Sequence, residues 1–195
     1  MSGVTIAPGF APDEGARAAR LFWQAFSAKL GRVLAPEDKA LRLIESVLDP
    51  EYALTARDDS GALLGLAGFK TAEGGLTGGG LRDMAAVYGW FGGTWRGLVL
   101  SLLERKVQPG VFQMDGILVD AAARGRGVGT ALLEAVIAEA RARDLAEVQL
   151  DVIDVNPRAR ALYERVGFRA IGEEELGPFR HVFGFARATK MSLAL

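Results

Sequence analysis

The residues Arg124, Gly125, Arg126, Gly127, Val128, Gly129 and Thr130 stand between an apolar run, Ile117-Leu118-Val119, and an amphipathic run from Ala131 to Arg143. That order reads as a buried strand, a Gly-rich turn and a helix. Glycines let the backbone take positive φ and let a ligand approach with no Cβ in the way. The first amides of a helix lack internal partners, and the helix dipole favours negative charge there. Together these make a cradle for a pyrophosphate, with Arg124 and Arg126 adding charged donors. A Walker loop needs Gly-Lys-Ser/Thr, which is absent. A dinucleotide fingerprint needs a third glycine where Thr130 stands. R-x-x-G-x-G is met by Arg124, Gly127 and Gly129. An ordinary Gly-rich strand-to-helix turn also fits this stretch taken alone.

A second stretch narrows the choice. Asn156, Ala159, Leu162, Tyr163, Gly167 and Phe168 follow N-x-x-A-x-x-L-Y-x-x-x-G-F position for position. With the R-x-x-G-x-G turn upstream, this resembles the GNAT superfamily of N-acetyltransferases over roughly Phe112 to Ile171. The resemblance implies a mixed α/β fold: a mostly antiparallel central sheet with a parallel, splayed strand pair, flanked by helices. It also implies acetyl-CoA as co-substrate, with no metal.

The resemblance assigns roles by position. Backbone of Ile117, Leu118 and Val119 would pair with the pantetheine amides. Arg124, Gly125, Arg126, Gly127, Val128, Gly129 and Thr130 would hold the pyrophosphate. Asn156 would bond the pantetheine arm, a role compatible with capping the helix opened by Pro157. Attack on the thioester creates an oxyanion, for which an amide at Leu118 is the expected donor. Tyr163, two helical turns after Asn156, would protonate the leaving thiolate; its bland reading is a buried aromatic. A base is wanted for the amine. Gln113 stands where family members often carry Glu, so Asp115 through water, or Asp154, are the candidates. Each reads first as a solvated strand-end carboxylate. Asp115, Asp151 and Asp154 together favour a cationic amine.

Composition bounds the rest. The 195 residues are half hydrophobic and carry a formal net charge of -1, which fits a packed globule and argues against a general nucleic-acid binder. There is no cysteine and one histidine, His181, so thiolate and multi-histidine metal sites are excluded. No secretory signal or charge-free run of about 20 apolar residues is present, so neither membrane nor nucleic acid is expected as a partner. A cytoplasmic location is the expectation.

One domain over residues 1–195 is expected, with a helical insertion at about 72–110. Val4-Thr5-Ile6 reads as a strand. Pro12-Asp13-Glu14 starts a helix with Ala18, Leu21, Phe22, Ala25 and Phe26 on one face, ended at Gly31. Pro36 starts a second helix. In the family this pair borders the acceptor site, which implies that Phe22, Trp23 or Phe26 faces substrate; each taken singly reads first as core. Tyr52 to Arg57 and Ala62 to Thr71 read as a hairpin, in which Gly65 and Gly68 mark weak strand or a close backbone approach. Gly74 to Gly80 reads as a flexible link. Leu81 to Lys106 reads as a helix broken at a glycine, either shaping the acceptor pocket, packing on a second subunit or covering the domain's own core. Its apolar excess suggests a homodimer. Val148 to Val152 alternates like a half-buried strand. Phe168 to Glu173 and Val182 to Leu193 read as the last strands, around a loop holding a solvated Glu173-Glu174-Glu175 and a surface His181.

The expected function is transfer of an acetyl group from acetyl-CoA to a primary amine, small molecule or peptide N-terminus, by direct attack in a ternary complex. The alternative is a non-catalytic acyl-CoA-binding or sensor module on the same fold.

Overall fold

The computed structural model describes residues 3–101, 107–177 and 180–195. Leu102 to Lys106, Pro178 and the side chain of His181 lie outside the described set. A seven-stranded sheet runs in the order β1-β2-β3-β4-β5-β7-β6. Its strands are β1 (Thr5–Pro8), β2 (Ala53–Arg57), β3 (Leu63–Lys70), β4 (Val111–Val119), β5 (Glu147–Ile153), β6 (Arg169–Glu175) and β7 (Arg187–Ala194). All neighbours are antiparallel except β4 and β5.

Helices cover both faces. On one lies α4 (Val128–Ala142), with Leu132, Leu133, Val136, Ile137 and Ala140 all buried. They pack on Phe69, Phe112, Met114, Val148 and Leu150. Full burial of each such large side chain is worth about 1.5–3 kcal/mol. On the other face lie α1 (Gly15–Leu34) and α2 (Glu37–Val47). α5 (Pro157–Val166) follows β5 and ends in Gly167, whose φ of 110° is open to glycine.

Several expectations change. α1 runs through Gly31 to Leu34 and stops at Ala35, which is extended, because the residue before a proline is pushed out of the helical region. On α1, Ala19 is buried where Ala25 is exposed. β5 is covered on both faces, with Val148, Gln149, Leu150 and Val152 buried. A short helix, α6 (Arg180–Phe183), stands where the last strand was expected to begin, and β7 starts only at Arg187. The residues 74–80 are not a free link: Leu76 is buried, its N–H donates to Phe69 and its carbonyl accepts from Asp49, while Gly78 donates to Val47. The glycines serve close approach there. A Cβ at Gly75 would stand 2.4 Å from the Lys70 side chain and one at Gly79 2.4 Å from Val47.

α3 (Leu81–Ser101) is two helices joined at Gly89, whose φ of 73° and ψ of 166° break it. Met84, Val87, Tyr88 and Leu100 pack on α1 and α2. Trp90, Phe91, Trp95 and Leu98 stay exposed.

Candidate active site

The site is built where β4 leaves β5. Their parallel pairing covers Val111–Met114 against Glu147–Leu150 and stops there. β4 goes on pairing with β3 as far as Val119, and β5 with β7 as far as Ile153. A wedge therefore opens between the strands from Asp115 onward. Along it, β4 presents one backbone edge without a β-strand partner.

A β-bulge sits at the point of divergence. Gly68 pairs with Gly116 and Phe69 with Met114, so Asp115 is the extra residue. A bulge resets which face the side chains take. Phe112 and Met114 pack toward α4, as do Ile117 and Val119 beyond the bulge. Asp115 and Gly116 both turn toward α1, where a Cβ at Gly116 would meet the Phe26 ring at 3.0 Å.

The direction of the backbone groups corrects one expectation. In an antiparallel ladder, successive residues turn N–H and C=O alternately toward and away from the partner. Asp120 donates its N–H to the Leu64 carbonyl at 2.9 Å. By that alternation Leu118 also addresses β3, and Ile117 and Val119 address the wedge. A Cβ at Gly65 would lie 2.5 Å from the Leu118 carbonyl oxygen, which agrees. Leu118 is therefore spoken for, and Ile117 carries the amide that an oxyanion in the wedge would meet.

The wedge ends at the glycine turn. Gly125 and Gly127 have φ of 78° and 82°, values that favour glycine. Gly127 caps α4 with no side-chain cap, so the first amides of a 15-residue helix are left for an anion. Arg124 Nε donates to the Val119 carbonyl at 3.4 Å. Asp120 anchors the turn: one oxygen accepts from Ala122 N–H at 2.8 Å, the other from Arg17 of α1 at 2.6 Å.

Across the wedge, Asn156 caps α5 as expected, its Oδ1 accepting from Ala159 N–H at 3.2 Å. Among the described residues no hydrogen bond engages its amide NH2, which leaves that group to offer a ligand. Tyr163 is buried, with its ring 5.9 Å from Phe168. Burial pushes its phenol up to about 12, so it holds its proton at any ordinary pH.

On the α1 side of the bulge lies a cleft of about 510 Å³. Phe22, Phe26, Leu43, Ile44, Met84 and Leu100 form apolar walls, and Lys29, Lys70 and Asp115 are its charged lining residues among those described. Of the three aromatics expected near substrate, Phe22 and Phe26 line the cleft, whereas Trp23 packs against the buried cluster of α1 and α2. α3 does shape the pocket, through Leu81, Met84 and Leu100. Lys70 Nζ is 3.6 Å from Asp115 Oδ1. Asp115 Oδ2 is buried and has no hydrogen-bond partner among the described residues. Burial raises the Asp115 carboxyl, against the downward pull of Lys70 and Lys29.

The other carboxylates fall away. Asp154 Oδ2 accepts from the N–H groups of Ala186 at 3.3 Å and Arg187 at 3.2 Å, so it is committed to holding the start of β7. Neither Asp151 nor Asp154 lines the large cleft. Among the described residues, no group of three His, Cys, Asp or Glu could hold a metal, and no helix is long and apolar enough to cross a membrane.

This geometry has known counterparts. Residues 16–168 match the Acetyltransferase (GNAT) family, so the chain belongs to that family of acetyl-transferring enzymes. Among solved structures it is similar to a GCN5-related N-acetyltransferase from Kribbella flavida, at 20% identity and a TM-score of 0.65 over 98% of each chain. It is also similar to an N-acetyltransferase from Staphylococcus aureus Mu50, at 16% identity and a TM-score of 0.65, over 97% of this chain and all of that one. At such identities these likenesses show the fold. A 53-residue stretch is 47% identical to a mycothiol acetyltransferase of Beutenbergia cavernae, covering 27% of this chain and 18% of that protein. The chain thus matches less than a fifth of that relative's length.

Proposed function

We propose that the protein transfers an acetyl group from acetyl-CoA to a primary amine by direct attack in a ternary complex. The observation that carries this reading is the wedge itself: an unpaired β4 edge that begins at a carboxylate in a cleft and ends at an open helix N-terminus. A thioester with a peptide-like arm and a pyrophosphate needs that sequence of surfaces.

The pantetheine amides pair with the wedge-facing groups of Ile117 and Val119. The pyrophosphate lies on the amides of the turn from Arg124 to Thr130, and the Asn156 amide steadies the arm. The amine enters from the cleft and passes its proton to Asp115. Its nitrogen attacks the thioester carbon, and the oxygen gains negative charge facing the Ile117 N–H, a donor fixed before the reaction. Collapse expels the thiolate, which takes the Tyr163 proton, and the acetylated nitrogen sheds its remaining extra proton, which restores the phenol.

The test is thiol release from acetyl-CoA by the purified chain, with and without amines, beside direct measurement of acetyl-CoA binding. Amine-dependent release is the expected result. Binding without release across an amine panel would transfer the assignment to an acyl-CoA-binding module.

A further inference from the structure

The cleft has a charge pattern opposite to that expected of a polyamine site. Among the described residues, Lys29 from α1 and Lys70 from the end of β3 line it with a single carboxylate, Asp115. Lys29 Nζ also lies 5.4 Å from the centre of the Phe185 ring. With Asp115 ionised, the described lining residues carry one net positive charge. A polyamine or aminoglycoside would add several more cations beside two ammonium groups, with one carboxylate to receive them. A neutral amine carrying one carboxylate brings the lining to charge neutrality instead. The remaining walls are aromatic and aliphatic, and pockets of about 300–1,000 Å³ hold compact organic ligands.

Resting on the acetyl-transfer reading, we infer that the acceptor is a primary amine bearing a carboxylate on an apolar body, the chemistry of an apolar amino acid. Its amine addresses Asp115, its carboxylate joins Lys29 and Lys70, and its side chain lies against Phe22, Ile44 and Met84. Neither lysine needs to be idle beforehand. The incoming carboxylate is the second anion between two cations, and desolvated polar sites discriminate strongly against a ligand that lacks the matching group.

The experiment compares matched acceptors with the full chain and acetyl-CoA: phenylalanine, phenylalaninamide and phenethylamine, beside spermidine and kanamycin. The expected kcat/KM for phenylalanine exceeds that for its two carboxylate-free partners by tenfold or more, with the polycations poorer still. Lys29→Gln shrinks that preference at least tenfold, chiefly through KM, and Lys29→Arg retains it. Equal rates across the three matched amines, or a polycation as best acceptor, would overturn the inference while leaving acetyl transfer intact. Absence of release with every amine removes the acetyl-transfer reading, and this assignment with it.

Discussion

Lys70 Nζ stands 3.6 Å from one oxygen of Asp115, while the other oxygen is buried and has no hydrogen-bond partner among the described residues. The pair joins the end of β3 to the bulge in β4, and it tempers the proton affinity of the cleft carboxylate. Burial holds the Asp115 carboxyl above its ordinary value of 3.8, and Lys70 opposes that rise. A base works deprotonated, so activity rises as pH climbs through this raised value. Lys70→Met removes the opposing charge and moves the acid limb of the kcat/KM profile to higher pH. Asp115→Asn lowers kcat by about 10²–10⁴-fold. An acid limb that survives unchanged in Asp115→Asn would assign it to another group.

Tyr163 carries a phenol pushed up to about 12 by burial. It therefore stays protonated across the working range, and no basic limb below about pH 11 belongs to it. Tyr163→Phe keeps the ring and its contact with Phe168 and removes the proton. The expected loss in kcat is about 10²-fold or more, with the urea midpoint little changed. A kcat within twofold of the parent would return Tyr163 to a purely packing role.

Glu14 and Arg57 form a two-pronged ion pair between the turn before α1 and the end of β2, with Nη2 to Oε2 at 2.6 Å. The hydrogen bonds from Arg57 hold the Glu14 carboxyl at about 2, against an ordinary 4.5. A depressed carboxyl stabilises fully above the unfolded value and loses its contribution as pH falls through the folded one. The window is thus 4.5 down to 2. Both side chains are partly exposed, and with solvent screening the pair is worth about 1–2 kcal/mol at neutral pH. Glu14→Gln should show that loss in urea unfolding at pH 7 and almost none at pH 2; an equal loss at both would discount the charge.

Gly65 is a steric requirement of the site. The oxygen a Cβ there would meet at 2.5 Å belongs to the Leu118 backbone, which cannot rotate away. Gly65→Ala must part β3 from β4 just where β4 lines the wedge. The expected cost is about 1–3 kcal/mol in thermal or chemical unfolding, with a rise in KM for acetyl-CoA. A stability change under about 0.5 kcal/mol would show that the strands give way freely.

The parts legible in the sequence are those whose chemistry is local. The turn at Arg124 to Thr130 and the Asn156-to-Phe168 segment each carry their geometry in adjacent residues: positive φ at Gly125, Gly127 and Gly167, and a cap at Asn156. The break in the aromatic helix was readable for the same reason, whereas the splay was expected only from the family resemblance. The bulge at Asp115 was not, because it is a mismatch of count between two strands and appears only once they pair. Nor was the turning of Leu118 toward β3, which that pairing decides. Lys29, Lys70 and Asp115 meet from α1, β3 and β4, and no spacing rule brings them together. The loop around Leu76 misled for a related reason: its glycines permit close approach to Lys70 and Val47 rather than freedom.

β4 and β5 share four residue pairs, whereas β5 and β7 share seven. The sheet is thus two leaves of a book, β1-β2-β3-β4 and β5-β7-β6, bound by a short spine. A molecule seated between the open pages lends them the hydrogen bonds that the missing strand pairs withhold. Amide exchange along β4 and β5 beyond the spine should therefore slow when acetyl-CoA binds, and the enzyme's rigidity becomes a property it shares with its substrate.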